Sequence, residues 1–256
     1  MKSLIKNIAR SKFGISLRNK LNLKPIHINF DSSIKSLSVS DAFPWRTDNS
    51  YETMFKFTDI LNFFFNINRT NAKIIFYNNL GVKIKSVLLE DLKTSNEIII
   101  NKSFLNGIEG HGTFYIFHNA KKNPLINEVI SNKCYTGFSY KGNLHSFVHG
   151  NTIVQGESFN SPKVSSDFVL TSLFTNNIYK IQSLFENLDR TEFFFSNPTS
   201  KTIKFSIDNE YYTLKKNQCK IVENKSKKDI TVKSNCYFLR PIIFNYKNDF
   251  IDVYHA

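Results

Sequence analysis

From residue 34 onward, apolar residues recur in short runs that alternate with polar residues, as they do in β-strands. The stretch IIFYNNLGVKIKSVLL (74–89) contains two such runs joined by Asn-Asn-Leu-Gly, and Asn and Gly tolerate the positive φ angles of a tight turn. We therefore predict a hairpin there. Further β-rich runs occupy 96–104, 112–119, 191–198, 202–209, 210–216, 218–224 and 229–235. Many short strands separated by turn residues predict an all-β fold built from β-sandwiches.

Helical patterns are few. The sequence Thr58-Asp59-Ile60-Leu61 is compatible with the start of a short helix, although a Phe triplet follows it. The first 30 residues contain seven Lys and Arg side chains and no Asp or Glu. We predict a basic, helical N-terminal segment over residues 1–33. Such a segment either lies on an anionic membrane surface through residues 2–24 or docks on the body of the protein as a short helix.

Two distant stretches, 131–151 and 234–256, share a series of letters. Both begin with Ser-Asn, continue through Cys-Tyr and Tyr-Lys, and place a histidine nine residues after the second Tyr. These histidines are His149 and His255. The shared letters predict an internal duplication.

The openings of the two halves also match, because each contains a Phe triplet followed by an alternating strand. The triplets are residues 63–65 and 193–195. We therefore predict two tandem β-sandwich modules, residues 34–154 and 167–256. The polar stretch QGESFNSPKVSS (155–166) between them is predicted to be a linker.

The net charge of +13 suggests nucleic acid or an anionic membrane as a partner. Only 6 of the 34 basic residues are Arg, however, and Arg is the residue suited to bidentate phosphate recognition. The excess of Lys accompanies abundant Asn, Ile and Phe, as AT-rich codons would supply. Nucleic acid is therefore not expected as a partner.

The three cysteines, Cys134, Cys219 and Cys236, are widely spaced and form no C-x-x-C pair. This spacing excludes the common zinc clusters, and an odd, low count suits a reducing compartment. No apolar run approaches the roughly 18 residues of a membrane-spanning helix. We expect a cytoplasmic protein, peripheral to a membrane if the N-terminal segment binds one, with no metal or cofactor.

The stretch SDAFPWRTDN (40–49) is the densest aromatic and polar cluster. It contains the only Trp, Trp45, beside Arg46, Asp48 and Asn49. An aromatic face next to charged and amide side chains suits a sugar, whose ring stacks while its hydroxyls form hydrogen bonds. The alternative is a packing cluster in which Trp45 is buried.

Histidines supply the remaining candidates. His145 and His149 are four residues apart, which on a strand separates them by about 13 Å, too far for one metal ion. His149 is a candidate general base, and His111 lies between two glycines that would let a ligand approach. Each also has a structural interpretation, as a hydrogen-bonding residue or as part of a turn.

These residues support two functional hypotheses. The first is a non-catalytic binding or scaffolding protein for a carbohydrate or another polar small molecule, at a membrane surface if the N-terminal segment binds one. Its predicted ligand-binding residues are Trp45, Arg46, Asp48, Asn49, His111, His145 and Asn151. The alternative is an enzyme acting on glycans or sugar conjugates. Its predicted catalytic residues are His149 as general base, assisted by Asp41 or Asp48.

Overall fold

The structure, a computed structural model, describes most of the chain from residue 36 onward. The described residues are 11, 13, 14, 17, 20, 21, 36–120, 129–131, 134–159, 161–165, 177–181, 187–207, 209–224, 230–236 and 239–256. Most of the predicted N-terminal segment 1–33 therefore lies outside the described residues. Of the six positions described there, residues 13, 14, 17 and 20 are helical.

The described chain is dominated by β-strands. In chain order they are β1 (Leu37–Arg46), β2 (Tyr51–Thr58), β3 (Thr70–Asn78), β4 (Lys83–Glu90), β5 (Ser95–Ile100), β6 (His111–Ala120), β7 (Val129–Ser131), β8 (Cys134–Tyr140), β9 (Ser146–Val148), β10 (Asn151–Ser158), β11 (Ser161–Ser165), β12 (Asn177–Ile181), β13 (Arg190–Ser196), β14 (Ile203–Ile207), β15 (Glu210–Leu214), β16 (Cys219–Glu223), β17 (Ile230–Ser234), β18 (Ile242–Lys247) and β19 (Phe250–His255). A short helix, α1 (Ile60–Phe65), lies between β2 and β3.

Local sequence patterns placed several of these elements correctly. The predicted hairpin at 74–89 is formed by β3 and β4, and Gly81 in its turn has a φ of 77°. The predicted helix start is also confirmed. Asp59 caps α1 by accepting a hydrogen bond from the Asn62 N–H at 3.1 Å, and Asn66 ends the helix in the left-handed conformation.

The strands form four sheets. Sheet 1 has seven strands in the order β11-β10-β1-β6-β3-β4, with β7 also paired to β1. Sheet 2 has the order β5-β2-β8-β9, sheet 3 the order β12-β17-β14-β15, and sheet 4 the order β16-β13-β18-β19. The segment expected to be a linker, 155–166, contains part of β10 and all of β11, which pair at the edge of sheet 1.

Strand β1 is shared between two parts of sheet 1. Leu37–Ser40 pair with β10, and Phe43–Arg46 pair with β6 after an irregularity at Asp41. The hydroxyls of Ser38 and Ser40 accept hydrogen bonds from main-chain N–H groups of β6, each at 2.9 Å. These bonds hold the first half of β1 over the end of β6.

Clusters of buried apolar side chains join the sheets. One lies between sheets 1 and 2 and contains Trp45, Phe55 and Phe114, and another lies between sheets 3 and 4 and contains Phe195 and Phe205. Each buried aromatic side chain contributes about 1.5–3 kcal/mol relative to an exposed one.

The prediction of two tandem β-sandwiches is wrong, although the chain is all-β. The sheets are arranged as a four-bladed β-propeller. A third cluster lies between sheets 2 and 4 and combines Tyr51 and Phe138 from the first predicted module with Phe194 and Phe244 from the second. The two halves therefore share a core, whereas the prediction gave each its own.

The predicted internal duplication is not supported either. The two Phe triplets that suggested it differ in structure. Phe63 and Phe64 lie in helix α1 and are 60% and 59% exposed, whereas residues 193–195 lie in strand β13 and are fully buried. In a chain with 25 Phe, triplets of this kind arise without a shared origin.

Candidate functional site

Trp45 lies in the hydrophobic core and does not form a binding surface. It is 0% exposed in the cluster between sheets 1 and 2, and its Nε1 donates a hydrogen bond to the Tyr77 carbonyl at 2.9 Å. Tyr77 and the Trp45 indole also explain why residue 112 is glycine. A Cβ at Gly112 would lie 1.9 Å from the Tyr77 oxygen and 2.6 Å from Trp45 Nε1. A sugar ring has no access to this side chain.

Arg46 is the centre of a buried charged network. Its guanidinium is 1% exposed and donates to both carboxylate oxygens of Asp48, at 3.1 and 2.8 Å. It also donates to Glu192 at 2.6 Å and to the Tyr246 hydroxyl at 3.1 Å. The Tyr51 ring lies beneath it, 4.0 Å from the guanidinium carbon. Every direction of the guanidinium is therefore occupied by the protein.

Two tyrosines complete the network. The Tyr51 hydroxyl donates to the Tyr246 hydroxyl at 2.6 Å, which in turn donates to Glu192 at 2.5 Å. Burial raises the pKa of Tyr246 to about 12 and raises that of Tyr51 further, so both stay protonated near neutral pH. Burial alone would lower the pKa of Arg46, but the hydrogen bond to Asp48 and the surrounding groups raise it. The network therefore keeps a fixed charge pattern and links sheets 1, 2 and 4.

Two other predicted residues lie beside this network. His111 pairs with Arg46 across β1 and β6, and burial lowers the pKa of His111 although the nearby Asp48 carboxylate opposes this. Asn49 is exposed, and its amide donates to Asp48 at 3.3 Å. Trp45, Arg46, Asp48, Asn49 and His111 therefore lie near one another, with Trp45 and Arg46 enclosed by protein and Asn49 exposed.

The two matching histidines meet. The His255 imidazole lies against the main chain of His149 and Gly150. Burial lowers the pKa of His255 to about 4, although hydrogen bonds with this main chain act in the opposite direction. The His149 side chain is exposed and lies on the Tyr135 ring, with centroids 4.4 Å apart. His255 thus acts as a packing residue at the junction of β9 and β19.

The remaining predicted residues lie near this junction. Asp41 lies against Gly150. A Cβ added to Gly150 would lie 2.5 Å from the Cβ of Asp41. Asn151 begins β10, and its amide donates to Ser196 at 3.5 Å. His145 precedes β9 and is half-buried. The three predicted catalytic residues therefore divide into two groups. His149 and Asp41 lie near Gly150, whereas Asp48 lies in the Arg46 network.

A polar cavity of about 210 Å³ lies elsewhere on sheet 1. Its walls come from β3, β4, β6 and the end of β10, and its lining residues are Asn71, Lys73, Leu88, Phe117, His118, Asn119, Glu157, Ser158 and Phe159. This volume is large enough to hold several water molecules. Apolar walls with a few converging polar groups are typical of small-molecule sites.

Glu157 is the unusual group in this cavity. Its side chain is 9% exposed, and one carboxylate oxygen accepts a hydrogen bond from Lys73 at 2.8 Å. Its other oxygen, Oε2, is buried without a hydrogen-bond partner among the described residues. A buried carboxylate oxygen is strongly stabilised by a donor. Glu157 in the cavity wall therefore carries a carboxylate oxygen that has no donor among the described residues.

His118 contributes to the cavity wall, but its side chain lies on the opposite face of β6. Phe117 packs with Ala42, Ile75 and Tyr115 on one face of sheet 1. Neighbouring side chains of a strand point to opposite faces, so the His118 side chain points to the other face. The His118 ring contacts Phe57 from the core side, with centroids 6.0 Å apart. Its imidazole is therefore a core residue.

Sequence reasoning missed the residues that complete both sites. Arg46 and Glu192 are 146 residues apart, and Lys73 and Glu157 are 84 residues apart. Glu157 fell within the predicted linker, and Lys73 looks like any solvent-facing residue of an alternating strand. No local pattern marks either pair, because only the sheet arrangement brings its members together.

Fold and site together define an all-β protein with a buried ionic centre and a separate polar cavity. No protein-family model, curated protein or solved structure matches the chain. Helices long and apolar enough to cross a membrane are absent from the described residues. Within the same part of the chain, no group of three or more His, Cys, Asp or Glu side chains is placed to hold a metal ion.

Proposed function

We propose that this is a non-catalytic binding or scaffolding protein for a carbohydrate or another polar small molecule. The ligand occupies the cavity lined by Lys73 and Glu157, not the surroundings of Trp45. The observation that carries the proposal is Glu157 in the wall of a cavity of about 210 Å³, with an Oε2 that has no hydrogen-bond partner among the described residues.

The cavity favours a ligand with hydroxyl groups. Glu157 Oε2 requires a donor, while the Lys73 ammonium can donate to a ligand oxygen in addition to Glu157. Leu88, Phe117 and Phe159 supply apolar walls that suit the C–H face of a small sugar or polyol.

Calorimetric titration of the wild-type chain with monosaccharides, polyols and nucleotide sugars tests the proposal. Glu157→Gln keeps the shape of the side chain but removes its charge. A hydrogen bond to a charged group contributes about 1.5–3 kcal/mol, so affinity should fall roughly tenfold to a hundredfold. Glu97→Gln is the matched control, since Glu97 pairs with Lys56 on an exposed face at 3.2 Å. Binding that is equal in the wild type and Glu157→Gln, or no binding across the panel, contradicts the proposal.

The enzymatic alternative has no comparable support. His149 is exposed and lies on Tyr135, whereas Asp48 is bound to Arg46. Asp48 is therefore engaged as an ionic partner and belongs to a different group of residues from His149. We do not propose catalysis by these residues.

A cytoplasmic location remains part of the proposal. Cys134, Cys219 and Cys236 are all buried, and none forms a disulfide with another described residue. Cysteines without disulfides are common where the surroundings are reducing.

A further inference from the structure

Helix α1 exposes two adjacent aromatic side chains. Phe63 and Phe64 are 60% and 59% exposed, and their ring centroids are 5.0 Å apart in an edge-to-face arrangement. The opposite side of the helix is buried, with Ile60 and Leu61 at 1% and 0% exposure. Single exposed apolar residues are common on protein surfaces, but a paired aromatic projection indicates an interaction site.

The helix that carries these rings is firmly attached. Asp59 accepts hydrogen bonds from the Asn62 N–H and from the Thr70 hydroxyl, which joins the start of α1 to the start of β3. The Asn62 amide donates to the Ile67 carbonyl at 3.2 Å beyond the end of the helix. The two rings are thus presented on a rigid support and are not part of a frayed end.

The basic N-terminal segment joins the body beside α1. The Phe159 N–H donates to the Ser36 carbonyl at 2.9 Å, and Phe159 packs in one cluster with Ile60 and Leu61. Ser36 therefore lies close to the helix. Lys24, the last basic residue of the segment, precedes Ser36 by twelve positions, so a short stretch of chain connects the basic segment to the body next to α1.

Described residues of that segment also expose apolar side chains. Phe13, Leu17 and Leu21 are 73%, 46% and 58% exposed. They are spaced by four residues, and the Leu21 N–H donates to the Leu17 carbonyl at 2.9 Å, as in a helix. They share one helical face within a region that carries seven basic and no acidic residues over its first 30 positions.

We propose that this end of the protein docks on an anionic membrane surface. Phe63 and Phe64 insert at the boundary between headgroups and acyl chains, and the face of Phe13, Leu17 and Leu21 lies in the same plane. The charge of the segment selects the occupant, since exposed apolar residues among Lys and Arg side chains complement anionic lipids. The membrane contact does not require a ligand in the cavity at Glu157, so the vesicle and titration experiments distinguish the failure of one proposal from the failure of the other.

Flotation of the full-length chain with vesicles tests the proposal. The wild type should bind vesicles of phosphatidylcholine with about 30% phosphatidylserine, and binding should weaken as salt rises. Phe63→Ser combined with Phe64→Ser should reduce partitioning by about tenfold or more, since two aromatic side chains no longer leave water. Leu144→Ser combined with Phe250→Ser is the control, because these residues are 84% and 56% exposed at other sites. The control should bind as the wild type does.

Fluorescence gives a second, independent measurement. Trp45 is 0% exposed and supplies a constant background. A Phe64→Trp variant should therefore show a blue shift on addition of anionic vesicles that is absent with pure phosphatidylcholine. The proposal is overturned if the wild type does not bind anionic vesicles, if the Phe63/Phe64 variant binds equally well, or if the emission of the Phe64→Trp variant does not change. A concentration-dependent dimer that the Phe63/Phe64 variant abolishes would also overturn it, in favour of a second copy of the chain.

Discussion

Replacing His118 by leucine should stabilise the protein, although it removes a polar side chain from a central strand. His118 is 1% exposed, and neither ring nitrogen has a hydrogen-bond partner among the described residues. A neutral imidazole has one donor and one acceptor, so both are left unpaired. An unpaired buried polar group costs about 1–3 kcal/mol, whereas leucine suits a site next to Phe57. At pH 7 we expect the free energy of unfolding to rise by about 1–3 kcal/mol.

The stabilisation should increase in acid. Burial lowers the pKa of His118 to about 3 from its ordinary value of 6.5. As pH falls from 6.5 toward 3, the unfolded chain takes up a proton that the folded protein does not, so folded wild type loses stability. At pH 5 this loss amounts to about 2 kcal/mol. His118→Leu removes it, so the advantage of the variant should be about 2 kcal/mol larger at pH 5 than at pH 7.

Urea unfolding at pH 7 and pH 5, followed by Trp45 fluorescence, measures both effects. Contributions from His111 and His255 cancel because both proteins contain these residues. Leu144→Ala serves as the control, since Leu144 is 84% exposed and carries no titratable group, so little change is expected at either pH. A variant that is less stable than the wild type at both pH values would refute the reasoning. An equal gain at both pH values would refute the part that depends on the pKa.

Three further predictions concern other buried groups. Arg46→Met should lower the free energy of unfolding by about 3–5 kcal/mol in urea titrations, because the buried Glu192 carboxylate loses its strongest ionic partner and keeps Tyr246 and the more distant Arg190; Lys141→Met, at an exposed ion pair, should leave it nearly unchanged. Gly112→Ala should abolish soluble expression, since its Cβ would lie 1.9 Å from a carbonyl oxygen, whereas Gly107→Ala meets no neighbour and should cost about 1–2 kcal/mol through its φ of 86°. Burial raises the pKa of each of the three cysteine thiols, so a thiol reagent should label them only on unfolding, and rapid labelling of the native protein would contradict the structure.

Patterns confined to a few neighbouring residues were read correctly from the sequence. The hairpin at 74–89 needs only two alternating runs and a turn that accepts positive φ at Gly81. The start of α1 needs only Asp59 before an apolar pair. In both cases the interactions that decide the structure join residues close in the chain, so the sequence displays them directly.

The arrangement of sheets was not readable in this way. Strand sequences with two apolar faces, such as the Phe193–Phe195 triplet, fit a sandwich core and a core between blades equally well. The two matching stretches end in His149 and His255, which suggested a duplication. In the structure these two residues contact each other, and the duplication is not supported. Trp45 and Arg46 were identified as unusual for their chemistry, but their burial depends on partners far along the chain.

Arg46 explains why one arrangement of these sheets is preferred over others, and a double variant tests this. Apolar faces rich in Phe can pack on one another in several ways, whereas a buried guanidinium is tolerated only where Glu192 meets it. We infer that the ion pair specifies how sheet 1 meets sheet 4 more than it stabilises that contact. Arg46→Met combined with Glu192→Met should therefore be more stable than Arg46→Met alone, because Glu192 is no longer buried without Arg46, while the partly exposed Asp48 loses Arg46 equally in both variants. Its amide NMR spectrum should be broadened if the sheets lose their unique packing. A double variant with sharp, wild-type-like spectra would show that the apolar surfaces alone determine the arrangement.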